Sequence, residues 1–490
     1  MLAGRGLTWR SAERGLLGAT WTDLSAPGLT ASSLSLTLLP TPAAVLTDGL
    51  IQLDAITLPS GSAGSTSPSP PPLPVLLSAE GITVRWKESV LATQLSGTLL
   101  PTLALSGPGA WLARSESGWS GELTRPIDVT PLSGEVTLTV TGPDPIAINL
   151  SMPEAIIDHP LLANRALPPA VIRAEAIWQE GRIDGTVQLA DIPVSISGAL
   201  SPENIALELS AEAAPLASIL SFFGQRLVPE LKRTEVRGSF SFAGKLTGPP
   251  LAWQATVAAD GLAAAGVLHD AEAMRYGNFT WRAPGPEGGF VMRETGDEHP
   301  SWTDIEPARL VGDAAIASED ARFAAHDGFD IEGINVALTE LSSGVERPRG
   351  GSTITQQLAK NLFLSGDRTI ARKLRELLYA LEMERTLGKM RILELYLNVV
   401  EFGPEIYGVR QAADHYFLKR PENLAPHEAA FLTAILPSPR SWHARILAGR
   451  RGPEATIDRI LGNMINTGAL EEGVARWAQA EPLIIVPPQP

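Results

Sequence analysis

Cysteine is absent from all 490 residues, which excludes disulfides, thiolate catalysis and Cys-ligated metals. That absence suits an exported protein without demonstrating export. Long apolar runs are missing too: 44% of the chain is hydrophobic, yet no window approaches the roughly 18 to 20 consecutive apolar residues of a membrane-spanning helix. Arg5, Arg10 and Arg14 interrupt the first 21 residues and make them a poor secretory signal. The expectation is that the natural start lies upstream, or that an anchor has been lost. Positive charge is short: 39 Lys and Arg face 54 Asp and Glu, a net −15, which argues against a nucleic-acid partner held through its phosphates. Most of the acidity precedes residue 300. Beyond it 21 basic residues face 25 acidic ones, so that part can hold a local cationic pocket.

The length predicts two to four domains, and the texture divides the chain into two unlike parts. Over residues 1–282 short segments alternate polar and apolar side chains, as in Ser33–Leu38, Glu135–Val140 and Ala206–Ser210. Period two with Gly, Pro and Asp between the segments predicts an extended antiparallel sheet. Residues 59–74, rich in Ser, Gly and Pro, read as a disordered insert, and the apolar segment 215–224 as a helix packed on the sheet. Residues 283–300, rich in Gly, Pro and charge, read as an interdomain linker. From 301 to 484 the period becomes helical. Ile370, Leu374, Leu377, Leu378 and Leu381 share one helix face, which points Arg372, Lys373 and Glu376 away from the apolar stripe. Ile392, Leu393, Tyr396 and Leu397 repeat the pattern, and 424–436 reads as a further buried helix. The fold class is therefore multidomain: β-rich first, mainly α second.

Three clusters in the second part carry chemistry. Glu319 and Asp320 precede Phe323 and His326; one helix through this stretch puts Glu319, Phe323 and His326 on one face. A carboxylate so placed suits general-base work, although a lone Glu-Asp pair is more often a solvated helix end. Gly350-Gly351-Ser352-Thr353 opens a helix running through Gln356, Gln357, Lys360 and Asn361. Its glycines allow close backbone approach and its first N–H groups favour phosphate, while Ser352 or Thr353 equally serves as an N-cap. Arg372, Lys373 and Glu376 follow. On an exposed helix the Arg372–Glu376 pair contributes only a few tenths of a kcal/mol; beside Lys360 the two cations form a wall suited to an anionic leaving group.

In this order the three clusters resemble the glycosyltransferase family 51 domain, the peptidoglycan glycosyltransferase of penicillin-binding proteins. The stretch from Lys389 through Glu394 and Tyr396 to Asn398 is similar to a fourth motif of that family and is assigned to scaffolding. The resemblance implies a lysozyme-like fold with a membrane-contacting lobe. It implies polymerisation of lipid II into β-1,4 glycan strands, with inversion, on the outer leaflet of the cytoplasmic membrane. Glu319 is then the base and Glu376 the second catalytic acid. Lys360, Arg372, Lys373, Ser352, Thr353, Gln356 and Gln357 bind substrate and pyrophosphate. Asp320, Phe323, His326, Gly350, Gly351 and Asn361 shape the cleft. No cofactor is required, and a divalent ion (Mg2+ or Mn2+) beside Glu376 stays open. The partners implied are lipid II, the growing glycan chain and the membrane, in the cell envelope.

One departure is the stretch Ile334-Asn335-Val336-Ala337, which lacks the Arg many relatives carry before that Ala. No Ser-x-x-Lys or Lys-Thr-Gly pair follows the domain, so a monofunctional enzyme without a transpeptidase is expected. The β-rich part loosely resembles AsmA-like and TamB-like proteins, which implies an apolar lipid-contacting groove; a plain β-rich spacer is the alternative. For the whole chain the competing readings are a lytic hydrolase on the same scaffold and a non-catalytic envelope scaffold or lipid-binding protein.

Overall fold

The computed structural model describes residues 8, 10–15, 18–26, 29–37, 43–52, 76–86, 89–100, 104–115, 118–129, 131–142, 145–200, 204–269, 271–285, 289–345, 350–364, 366–450 and 452–486. They form two compact units: Met1–Ile157 with Pro169–Glu208, and Asp158–Pro168 with Leu209–Pro490.

The first unit is a meander of strands from Ser11–Gly15 to Ile192–Leu200. Each strand pairs antiparallel with its successor. The exception is Ala43–Gln52 with Leu76–Trp86, which run parallel. A parallel pair needs a crossover of a dozen or more residues, and the insert expected at 59–74 falls in that connection, outside the described residues. The strand reading is borne out at Leu29–Thr37 and Leu132–Gly142, and again at Ile205–Pro215. Alternation turns one face inward: Met152, Ala155 and Ile172 are buried, with Leu150, Val187 and Leu189 packed on them.

The second unit is helical around two hairpins. Helix α1 (Leu216–Phe223) buries Leu216, Leu220 and Phe223, the packed helix expected over 215–224. A long hairpin follows (Glu235–Gly248 with Ala252–Ala265), then α2 (Ala271–Tyr276) and a short hairpin (Phe279–Pro284 with Phe290–Thr295). The rest is α3 (Arg309–Glu319), α4 (Ile331–Ser342), α5 (Ile354–Phe363), α6 (Ile370–Leu387), α7 (Lys389–Val399), α8 (Val409–Phe417), α9 (Pro426–Ile435), α10 (Pro439–Leu447), α11 (Glu454–Asn466) and α12 (Glu472–Ala480). None of the described helices is long and apolar enough to cross a membrane.

Two expectations are corrected here. Residues 283–300 are not a linker, because they carry the second strand of the short hairpin. Its Phe279, Trp281 and Ala283 alternate inward, and the Arg293 guanidinium lies 4.3 Å from the Tyr407 ring centre. The boundary falls at Glu208 rather than residue 282, because buried polar contacts fasten the long hairpin to the helices. The Glu382 carboxylate accepts from the backbone N–H groups of Gly266, Val267 and Leu268 at 3.1, 2.5 and 3.0 Å. The Asn335 amide pairs both ways with the Val257 backbone at 2.8 Å. Glu230, 3% exposed, accepts from Arg375 at 2.7 Å and from the Tyr379 hydroxyl at 3.3 Å.

Candidate active site

Glu319 is the last residue of α3, and the helix stops there because of its neighbour. Asp320, 7% exposed, leaves helical geometry and turns its carboxylate inward. It accepts from His326 Nε2 at 2.9 Å and from the Ile354 backbone N–H, the first of α5, at 3.0 Å. His326 Nδ1 accepts from the Gly328 N–H at 3.1 Å, which assigns its proton to Nε2. The single helix face expected for Glu319, Phe323 and His326 is therefore corrected: a turn of 3₁₀ helix at Phe323–Ala325 intervenes. Phe323 is buried beneath the Lys389 ammonium, 4.5 Å from its ring centre. Lys389 also donates to the His326 carbonyl at 2.5 Å and to Glu384 at 2.8 Å, the scaffolding expected of it.

Thr353 caps α5. Its hydroxyl accepts from the Gln356 N–H at 3.1 Å, and the Gln356 side chain accepts in return from the Thr353 N–H at 3.2 Å, a reciprocal capping box. The same hydroxyl donates to the Gly328 carbonyl at 2.8 Å. Gly328 has a positive φ of 84°, and a Cβ there would lie 2.9 Å from the Glu384 side chain, so only glycine fits. Thr353 and the polar end of Gln356 thus hold the turn together. Gly350 has open space where a Cβ would sit.

One turn into α5, Gln357 reaches the other acid. Its Nε2 donates to Glu319 Oε2 at 3.0 Å, and its oxygen accepts from the Tyr396 hydroxyl at 3.1 Å. Ser318 donates to Glu319 Oε1 at 3.3 Å. Each oxygen of the half-buried Glu319 keeps a lone pair for a further donor. Burial and the nearby Glu319 and Asp320 charges push the Tyr396 phenol well above its ordinary range, so it serves as a fixed donor.

Lys360 lies on the same helix and faces an open cleft of about 510 Å³, lined also by Ser352, Gln357, Arg372, Lys373 and Glu376. Glu376, expected to point away from the apolar stripe, is 1% exposed, because Arg372 and Lys373 close over it. Arg372 Nη1 pairs with one of its oxygens and Lys373 Nζ lies 2.8 Å from the other. Lys373 also donates to the Ser352 hydroxyl, joining the glycine-rich turn to the cationic helix. Burial depresses Lys360, and Arg372 depresses it further while Glu319 supports its charge. Lys373, although 2.8 Å from Glu376, is pushed down to about 8 by burial and by the Arg372 and Lys360 charges. Burial lowers Arg372 too, with Asp367 opposing and Arg368 adding to the effect. A divalent ion at Glu376 does not fit, because both its oxygens face cations. No group of three metal-ligating side chains occurs among the described residues.

Asn361 lies apart from this cleft, in a smaller cavity of about 110 Å³ with Trp281, Phe290 and Tyr407; Lys360 borders both. Sequence reading missed Leu161, Arg368 and Ile370, which line the main cleft. Arg368, four positions before Arg372, had a signal in its charge. Leu161, some two hundred positions away, had none.

The transglycosylase family model matches residues 289–464. The biosynthetic peptidoglycan transglycosylase of Alcanivorax borkumensis is 47% identical over 151 residues, 31% of this chain and 62% of that one. Its counterpart in Nitrosomonas eutropha is 48% identical over 142 residues, 29% and 58% respectively. The chain thus spans less than two thirds of the length of these two relatives. Penicillin-binding protein 1A from Haemophilus influenzae superposes with a TM-score of 0.21 at 17% identity, over 42% of this chain and 21% of that one, too little to bear on the fold. The Aeromonas hydrophila transglycosylase is 44% identical over 169 residues, 34% of this chain and 70% of its own length. On that likeness the chain belongs to the transglycosylase family, glycosyltransferase family 51.

Proposed function

We propose that this protein is a peptidoglycan glycosyltransferase that joins lipid II units into β-1,4 glycan strands at the envelope face of the cytoplasmic membrane. The observation that carries the reading is electrostatic and geometric. Through Gln357 and Lys360, α5 ties the Glu319 carboxylate to the cationic cleft, and the Lys360 ammonium feels both Glu319 and Arg372. The acceptor's GlcNAc 4-hydroxyl gives its proton to Glu319 while its oxygen bonds to the donor's anomeric carbon. The bond from that carbon to the pyrophosphate breaks, and its electron pair leaves with undecaprenyl pyrophosphate. Lys360, Arg372 and Lys373 neutralise the charge that grows on the leaving group. Glu376 holds the last two in place. The matched region is read as lysozyme-like. The sheet of the first unit is read as the AsmA-like part, its apolar face a lipid contact.

The test uses purified protein and lipid II in detergent. Glu319→Gln is expected to abolish polymer formation with the fold intact; polymer formed at the wild-type rate removes Glu319 from the role of base.

A further inference from the structure

We infer that the loop Asp158–Pro168, far outside the matched residues 289–464, completes the leaving-group site, and that Leu161 and Ile370 seat the first isoprenoid carbons next to the pyrophosphate. This rests on the pyrophosphate reading of the cleft. The loop is built and anchored. Its turn closes through the Leu162 and Ala163 N–H groups, which donate to the His159 carbonyl at 2.9 and 3.2 Å, while Ala163 and Leu167 are buried. Asn164 Nδ2 donates to Asp367 Oδ2 at 3.3 Å.

The loop also caps the cationic helix. The Leu161 and Leu162 carbonyls accept from the Ile370 and Ala371 N–H groups, the first two of α6, at 2.8 and 2.9 Å. The Thr369 hydroxyl takes the Arg372 N–H at 3.2 Å and the Thr369 carbonyl the Lys373 N–H at 3.1 Å. The N–H groups of Ile370 to Arg372, which a helix start leaves without intrahelical partners, are thus all paired. An anion in this cleft is held by side chains, not by the backbone of α6.

What the loop presents to the cleft is apolar. Leu161 is 65% exposed and Ile370 46% exposed, and both line the same cavity as Lys360, Arg372 and Lys373. Two exposed aliphatic side chains on the rim of a cationic cleft match an amphiphile whose hydrocarbon begins where its charge ends. A polyprenyl pyrophosphate has that form, and inorganic pyrophosphate lacks the hydrocarbon.

Binding of farnesyl pyrophosphate and of inorganic pyrophosphate to the full chain, by calorimetry, tests this without turnover. Farnesyl pyrophosphate is expected to bind wild type more tightly. Leu161→Ala is expected to lose about tenfold in farnesyl pyrophosphate affinity, the worth of a few aliphatic carbons in contact. Inorganic pyrophosphate affinity stays unchanged, and Leu161→Met restores most of the loss. Because the side chain is largely exposed, the variant keeps its melting temperature. Equal wild-type affinities for the two ligands overturn the apolar rim and leave the pyrophosphate reading standing. Equal weakening of both by Leu161→Ala overturns it too, making the loop only a support for α6. Failure of wild type to bind either ligand removes the pyrophosphate reading, and this inference with it.

Discussion

Two adjacent acids are expected to fail in opposite ways. Glu319 is half-buried and held by two side-chain donors, whereas Asp320 is buried and holds two segments together. Asp320→Asn keeps the shape but replaces one accepting oxygen with an NH2 group, which faces either His326 Nε2–H or the Ile354 N–H donor to donor. Hydrogen bonds to a charged acceptor contribute about 1.5 to 3 kcal/mol each, and a buried donor left unpaired costs more than its bond alone. A loss of about 2 to 3 kcal/mol is therefore expected. For a unit of this size that lowers the melting temperature by about 3 to 5 °C. Polymerisation falls as well, because the turn that aims Glu319 and the start of α5 loosen together. Glu319→Gln is the counterpart: the new amide can turn its oxygen to Gln357, so stability shifts by less than about 1 kcal/mol, while turnover drops about 10² to 10⁴-fold with loss of the base. Thermal melts and lipid II polymerisation on both variants decide it. An Asp320→Asn protein that melts with wild type, or a Glu319→Gln protein that melts well below it, would falsify this division of labour.

Three further outcomes follow from the cleft and its support. Arg372→Ala is expected to lower kcat/KM for lipid II about 10 to 150-fold, the worth of one charge-assisted contact of about 1.5 to 3 kcal/mol; a wild-type rate means that Arg372 does not touch the pyrophosphate. The Lys373 amine is charged below about 8 and neutral above, so kcat/KM should fall as pH rises through that value. Lys373→Arg keeps its charge and should move the fall to higher pH; a limb that stays put assigns it to another group. Glu230→Ala strands the partly buried Arg375 and the Tyr379 hydroxyl and should destabilise the second unit by about 2 to 3 kcal/mol, below the range for a fully buried pair. Chemical denaturation measures this, and a change under about 0.5 kcal/mol makes the contact incidental.

The helices were legible because period 3.6 survives in Ile370 to Leu381 and in Ile392 to Leu397, and the strands because period two does in 33–37 and 135–140. The acid, the glycine turn and the cations were legible as residue types that one reaction needs together. What was not legible depended on partners from elsewhere in the chain. The helix stops at Glu319 because Asp320 has acceptors to offer to residues 6 and 34 positions away, and no local propensity encodes that. The burial of Glu376 was not legible because an amphipathic stripe only sorts the faces of its own helix; two long cationic side chains from the same helix cover it. Gly, Pro and charge over 283–300 suggested a linker, yet Phe279–Pro284 and Phe290–Thr295 pair as a hairpin, because composition alone does not separate a hairpin connection from a tether.

The family match begins at residue 289, yet the forces that hold the cationic helix begin well before it. Along α6, the first N–H groups are capped from Leu161 and Leu162, Arg375 is paired by Glu230, and Glu382 is satisfied by three N–H groups of Gly266 to Leu268. Arg372 and Lys373 lie between the first and second of these contacts, and Glu376 between the second and third. A chain cut at 289 would leave a buried carboxylate without its three backbone donors, a guanidinium without its acid and the first two N–H groups of α6 without acceptors. Each is costly in a partly dry interior. The stretches 158–168 and 209–285 therefore belong with the helices in the second compact unit, and the cationic helix is supported by residues outside the family match.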